Sequence, residues 1–432
     1  MQWGRGAAVI SGLSRATAAF GLAVLLAGAC SSEPTAPERF PVAPAPPSPH
    51  AALTATLRDE AAGLGFFEGD WLEDYGDAPF YGLAHHTRAA AGPSARPEDA
   101  ARRDASLARA RRVIAGSLLD GDLQEMVMSG LGLVEHVAAT GDRADLPLLD
   151  DFVDRLDRLA GSFGYYLDLS PDTSWALRTY GPTAISALIG LLNAEYALSV
   201  GGPRAAERLE WAKELERRTT ERAFGDIDAG VKSVRAYRFS PSRGELFLYP
   251  NIAMLALEAR LYRLTKDELY RVTARSVFSS IQPLKLSDAP ARYRSPYSAA
   301  EMGAKTNDYA TLSSQNYLAL ALLLLFEITG EARFVAEADR VIDGIAAMRG
   351  RWCVSHVHDA KACTPACLAP SVCAPSGGKG VCGDDRCQEG ILHHVIDGRL
   401  ALPTDASFFC AGCNLQTLWV LGYRDRLSAA AP

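Results

Sequence analysis

Helix-forming segments recur along this chain as pairs joined by very short turns, and a chain built this way must pack its helices as hairpins. One pair covers roughly 123–140 and 145–161, with Thr140-Gly141-Asp142 between them. The next covers 182–199 and 203–222, split by Val200-Gly201-Gly202-Pro203. A third covers 249–264 and 267–281 around Thr265-Lys266-Asp267, and a fourth 312–329 and 332–348 around Thr329-Gly330-Glu331. With Thr140, Val200, Thr265 and Thr329 taken as equivalent, the intervals are 60, 65 and 64 residues. Glycine after a helix supplies the left-handed C-cap, and an acid at the next start meets the positive end of the helix dipole. A lone hairpin cannot bury its apolar face, so such repeats stack.

The two members of a pair differ in kind. Residues 317–328, Tyr-Leu-Ala-Leu-Ala-Leu-Leu-Leu-Leu-Phe-Glu-Ile, are apolar nearly all round, as in a helix buried on every side. Their partner puts Phe334, Ala338, Val341, Ile345 and Met348 on one stripe and its charges elsewhere, as in a surface helix. First helices are therefore expected inside and second helices outside. Residues 79–91 and 97–118 form an earlier pair, 408–422 a last inner helix, and Ala51 to Ala62 a lone amphipathic helix. If the lone helix serves as the sixth outer one, a ring of six hairpins closes. An open solenoid is the rival, but its helical repeats usually run to about 34–47 residues.

This pattern over residues 51–432 resembles the six-hairpin (α/α) toroid superfamily of glycoside hydrolases, polysaccharide lyases and sugar epimerases. The expected fold is an all-α (α/α)6 toroid with a disulfide-rich loop insert. The resemblance implies a glycan bound on the face where the inner helices begin. The turn pattern Tyr/Phe-x-x-Thr-Gly-Asp is common in those families and is also a generic helix-stop, helix-start signal.

The N-terminus reads as an export signal. Arg5 and Arg15 precede an apolar stretch from Ala16 to Ala27, then small residues at Gly28 and Ala29, then Cys30. The run Leu25-Leu26-Ala27-Gly28-Ala29-Cys30 resembles the lipobox of bacterial lipoproteins, with Ala27 where Leu is usual. The resemblance implies lipidation of Cys30. The apolar run is too short for a permanent membrane span. Ser31 follows where many proteins retained at the inner membrane carry Asp, which points to the outer membrane. Seven prolines between Pro34 and Pro49 make an extended spacer. The expected organisation is a signal at 1–29, a lipidated Cys30 with a Pro-rich linker at 30–50, and a toroid at 51–432 with a Cys-rich insert at 353–413. The expected location is the cell envelope, with membrane contact through the lipid alone.

Composition suits a globular body, with 48% hydrophobic and 22% charged residues. The formal charge of −7, without a basic patch, argues against nucleic acid as a partner. Oligomeric state is not legible. Apart from Cys30, the cysteines are Cys353, Cys363, Cys367, Cys373, Cys382, Cys387, Cys410 and Cys413. An even number in an exported protein points to disulfides, and the Pro-, Gly- and Ser-rich run from Cys363 to Cys387 has too few large apolar residues to hold itself together. Eight cysteines allow 105 pairings. A zinc site of thiolates with His356, His358, His393 or His394 is the alternative. The expectation is no metal and no cofactor.

The long connections, 162–181, 223–248, 282–311 and 349–407 with 63–78, all run from an outer helix to the next inner one and gather on one face. Long loops on a rigid scaffold usually carry function. Trp71, Tyr75, Trp175 and Trp352 lie in them and either stack on sugar rings or pack the loops down. Cleaving a glycosidic bond needs one protonated and one ionised carboxyl. Asp74 and Asp77 in the acid-rich first loop and Asp308 before the fifth inner helix are the candidates, with helix capping as the other reading. Asn251, Gln315, Asn316, Asn414 and Gln416 sit in the first turns of apolar inner helices, where an amide needs partners. Sugar hydroxyls would suit them, and so would loop backbone. The expectation is a lipid-anchored glycoside hydrolase acting on a glycan. A sugar epimerase or polysaccharide lyase, and a non-catalytic surface binding protein, are the alternatives. Phosphate-binding glycine loops, nucleophile elbows and zinc-protease signatures are absent.

Overall fold

The computed structural model describes residues 44–64, 78–92, 95–118, 123–162, 166, 181–228, 233–295, 310–353, 387–391, 394–396, 399–400 and 411–429. Twelve α-helices occur among them: α1 (Ala51–Leu64), α2 (Ala78–Ala91), α3 (Pro97–Ala115), α4 (Leu123–Thr140), α5 (Leu146–Ser162), α6 (Pro182–Glu195), α7 (Ala205–Ala223), α8 (Leu248–Thr265), α9 (Glu268–Ser280), α10 (Leu312–Thr329), α11 (Ala332–Ala346) and α12 (Ala411–Ala429). The even-numbered helices form a closed inner ring. Each touches the next, and α12 returns to touch α2. Helices α3, α5, α7, α9 and α11 pack outside the inner helix that precedes them, and α1 packs on α12. This is the six-hairpin toroid, with the N-terminal helix completing the last hairpin.

Burial follows the two kinds of helix. In α10 every residue except Glu327 and Thr329 is buried. In α11 the stripe from Phe334 to Ile345 faces inward. Helices α6, extended by a π-turn at Tyr196–Val200, and α10 are long and apolar enough to cross a membrane, yet both lie buried in the ring.

Three hairpin turns share one local device. Thr140, Thr265 and Thr329 each donate Oγ1 to the carbonyl four residues back, at 2.7, 2.8 and 2.7 Å. Each hydroxyl also accepts from the N–H two residues on, at Asp142, Asp267 and Glu331. The intervening residue is left-handed: Gly141 (φ 72°), Lys266 (φ 62°) and Gly330 (φ 69°). The threonine thus pairs groups that a helix end leaves without partners.

The outer-to-inner connections hold short strands. They are β1 (Phe224–Asp228), β2 (Ser233–Ser240), β3 (Arg243–Leu246), β4 (Lys285–Asp288), β5 (Ala291–Tyr293), β6 (Ala310–Thr311), β7 (Arg349–Cys353), β8 (Cys387–Ile391), β9 (His394–Ile396) and β10 (Arg399–Leu400). β1-β2-β3 and β10-β9-β6 are three-stranded sheets, and β4-β5 and β7-β8 are two-stranded. All pairs are antiparallel, and the β7–β8 register sets Cys353 opposite Cys387. β9 pairs with β6, so the long connection before α12 returns to the strand that leads into α10.

The ring closure is tied by polar contacts. Fully buried Arg424 of α12 grips Asp339 of α11 through Nε (2.8 Å) and Nη2 (3.0 Å). Its Nη1 donates to the Pro46 carbonyl, and the Ala45 N–H donates to Leu427. Residues 44–50, the end of the proline-rich run, therefore lie along the body. Asp99 of α3 accepts from Arg58 of α1 (2.9 Å) and lies 3.2 Å from His86 Nδ1 of α2.

Candidate functional site

Residues three and four apart share one face of a helix, so each inner helix presents a stripe to the axis of the ring. Read down that axis from the end where the inner helices begin, the stripes form layers. At the top of α4, Glu125 lies one turn above Met128 on the same face. It is half-buried, and it is the only acid in the first turn of any inner helix. On α12, Gln416 stands one turn above Trp419.

The next layer is aromatic and buried. Tyr81 of α2 donates its hydroxyl to Tyr317 of α10 at 2.7 Å, and Tyr317 donates to Met128 Sδ at 2.9 Å. The Tyr317 ring meets Tyr249 of α8 edge-on at 5.3 Å, and Tyr81 lies 6.0 Å from Trp419. Below these rings, Leu131, Leu191, Leu320 and Leu324 surround a cavity of about 30 Å³.

The far end is closed by charge. Arg260 of α8 donates to Glu195 of α6 (2.5 Å) and to Glu327 of α10 (2.8 Å). Arg263 reaches Glu327 at 2.6 Å, and Tyr423 of α12 donates to it at 2.6 Å. Arg88 of α2 pairs with Glu135 of α4. All six inner helices contribute. Burial pushes Glu327 up, but Arg260, Arg263 and the Tyr423 hydroxyl outweigh it and hold the carboxyl below its ordinary range. Burial likewise opposes the charge on Arg260, yet Glu195, Tyr423 and Glu327 raise its pKa well above the usual value. A buried charge persists only when paired, and this layer is paired throughout.

The amides divide into two groups. Asn251 of α8 accepts from Tyr237 N (2.9 Å) and donates to Tyr237 O (2.9 Å) and Phe247 O (2.8 Å). Gln315 of α10 does the same for the next sheet, accepting from Tyr293 N (3.0 Å) and donating to Tyr293 O (2.9 Å). Both clamp a loop strand onto an inner helix, and Gln315 Nε2 also donates to Ser295 Oγ at 3.2 Å. Asn316 bridges α10 to α12, donating to Cys413 O (2.9 Å) and accepting from Thr417 Oγ1 (3.1 Å). Asn414 is buried. Gln416 Oε1 accepts from Asn316 at 3.4 Å, and its Nε2 is buried without a partner among the described residues.

The clamped tyrosines anchor buried acids. Tyr237 donates to Glu258 (2.7 Å) and Tyr293 to Glu337 (2.6 Å). Burial, then nearby Glu216, raises Glu258 well above the carboxylate range. Burial also opposes the charge on Glu337, but Tyr293, Lys285 and Arg340 hold it low.

Asp74, Asp77, Asp308, Trp71, Tyr75 and Trp175 lie outside the described residues, as do Cys30, Cys363, Cys367, Cys373, Cys382 and Cys410. Trp352 lies in β7. Among the described residues no cluster of His, Cys, Asp and Glu could hold a metal. Sequence reasoning missed the Tyr81–Tyr249–Tyr317 layer and Glu125. The signal was available, since these polar groups occupy early turns of otherwise apolar inner helices.

No family model and no curated protein matches this chain. Solved structures do. The cellobiose 2-epimerase of Spirochaeta thermophila aligns with a TM-score of 0.53 at 13% identity, covering 89% of this chain and 99% of that one. The cellobiose 2-epimerase of Bacillus thermoamylovorans gives 0.53 at 10%, covering 86% and 98%. The GH76 alpha-mannanase of Bacteroides thetaiotaomicron gives 0.51 at 11%, covering 87% and 94%. At these identities the likeness establishes the fold, the six-hairpin (α/α) toroid.

Proposed function

We propose that this protein is an exported, lipid-anchored carbohydrate-active enzyme, a glycoside hydrolase that holds a glycan at the mouth of its ring. The observation that carries the reading is the layered lumen. A polar mouth lies over the aromatic layer of Tyr81, Tyr249, Tyr317 and Trp419, above a base sealed by ion pairs. Aromatic faces and amide groups are the chemistry that grips sugar rings and hydroxyls. The solved neighbours named above are a mannanase and two cellobiose 2-epimerases, which supports a sugar substrate.

In this reading Asp308 and Asp74 or Asp77 are the acid and its partner. One carboxyl gives a proton to the leaving oxygen. The other attacks the sugar or activates water, at about 5–5.5 Å separation for retention and about 6.5–9.5 Å for inversion. Glu125 is a third carboxylate at the mouth. Trp71, Tyr75, Trp175 and Trp352 would stack on the glycan, and Gln416 Nε2 would donate to a hydroxyl. Cys30 carries the lipid and the proline-rich run ahead of residue 44 spaces the body from the envelope, facing the glycan of the cell surface or its surroundings. The Cys-rich insert is braced by disulfides. Two facts support that bracing: Cys413 is disulfide-bonded, and the register opposes Cys353 to Cys387.

The test is to incubate the mature chain with α-mannan and cello-oligosaccharides and follow products by mass and chromatography. Shorter glycans that vanish in Asp308→Asn support hydrolysis. An isomer of unchanged mass transfers the site to epimerase chemistry. Binding without product leaves a lectin-like surface protein, and neither binding nor product overturns the carbohydrate reading. Labelled palmitate in the native chain, absent from Cys30→Ser, tests the anchor.

A further inference from the structure

A second cavity lies away from the mouth, where the lower halves of α2 and α12 part beneath α1. Its volume is about 590 Å³, within the range of small-molecule sites. Small residues open it: Ala89 on α2, Gly92 just past its end, Ala139 on α4 and Gly422 on α12. A Cβ built at Gly422 meets nothing within 4 Å, so the glycine leaves space that no neighbour fills. Trp419 forms the roof and is shared with the axial cavity above.

Three guanidiniums and an imidazole line this space. Arg58 carries Asp99, and Arg88 carries Glu135. Arg426 differs. Its guanidinium lies over the Tyr423 ring at 4.8 Å, and it has no hydrogen bond or ion pair among the described residues. Asp425, the one carboxylate in the lining, does not pair with it. Burial, then the neighbouring Arg88 charge, pulls Arg426 down to about 10, which leaves it a cation at neutral pH. His85 is pushed down to about 3 by burial and then by His86, so it is neutral there. A half-buried guanidinium with open donors is a fork for an oxyanion, and Arg engages carboxylate and phosphate through paired N–H bonds.

We propose that this cavity is a binding site for a small ligand bearing a carboxylate or phosphate oxyanion, with Arg426 as its primary anchor and the ligand body under Trp419. Arg88 and Arg58, already held by their own carboxylates, flank the anion, and the small residues give the body room. The site shares Trp419 with the aromatic layer but does not rest on the hydrolase reading.

The test uses the mature chain with inorganic phosphate, glucuronate and glucose as probes, read by calorimetric titration and melting temperature. Arg426→Gln removes the anchor. Gly422→Leu fills the void and should fold well, because leucine is the better helix former. Expected is saturable binding of phosphate or glucuronate but not of glucose. Arg426→Gln should weaken it roughly tenfold or more, as for a lost charged hydrogen bond, and Gly422→Leu should abolish it. Phosphate alone binding identifies a free-phosphate site, and glucuronate binding more tightly identifies a sugar-acid site. The proposal is overturned if neither anion binds saturably, or if binding survives in both variants.

Discussion

Asp99→Asn should loosen the helix that closes the ring, and the effect should depend on pH. Asp99 sits where α1, α2 and α3 meet. It accepts from Arg58 of α1 at 2.9 Å, from His86 Nδ1 of α2 and from the Arg96 N–H at the start of α3 at 2.9 Å. Burial alone would raise its pKa, but His86, the Arg96 N–H and Arg58 outweigh that and bring it to about 2 from an ordinary 3.8. That shift corresponds to about 2 kcal/mol of stability at neutral pH. The asparagine must also turn its NH2 toward a donor, which brings the expected loss to about 2–4 kcal/mol. For a body of this size the melting temperature should fall by roughly 3–5 °C. The sign follows from a depressed acid. Its contribution is complete above the unfolded pKa and disappears as pH falls through the folded one. The gap between wild type and variant, followed by near-UV circular dichroism during heating, should therefore shrink to about 1 kcal/mol near pH 2.5. A gap that is absent at pH 7, or constant down to pH 2.5, would refute the account of Asp99 as a charged tie.

Three further outcomes are expected. Asn251→Ala strands the Tyr237 N–H and C=O and should cost about 2–4 kcal/mol, with faster hydrogen exchange at the Tyr237 amide as its local signature. Arg260→Met takes the shared cation from Glu195 and Glu327 and should cost about 3–5 kcal/mol in thermal unfolding; a neutral result would mean that the base is not held by these ion pairs. Glu258 binds its proton more tightly in the folded chain than in the unfolded one, so it lowers stability as pH rises above the ordinary glutamate value. Glu258→Gln should therefore gain on wild type from about pH 4.5 upward, and parallel pH–stability curves for the two proteins would contradict this.

The hairpins were legible because their signals are local. Thr140, Thr265 and Thr329 close their turns with bonds to residues no more than four away, so each turn carries its own instruction. The alternation of all-apolar and one-faced helices was equally plain, since it reports which sides of a helix are covered. The strands at 224–246 and 285–293 were not. Their tyrosines are pinned by Asn251 and Gln315, amides 14 and 22 residues onward in the chain, and no local pattern marks such a pairing. The end of α12 was read short, at 422, because residues 424–428 look like an ordinary charged surface. Their contacts lie with Asp339 and Pro46, remote in sequence. The same blindness hid the charged base. Glu195, Arg260 and Glu327 look like solvent-facing charges near helix ends until the ring brings them together.

That base has a consequence for traffic through the molecule. With Arg260 spanning from α6 to α10 and Arg88 joined to Glu135, the far end of the ring is plugged by charge, so it is not a tunnel. A polymer cannot be threaded through such a body. On the proposed reading a ligand arrives at the end where the inner helices begin and leaves by that same end.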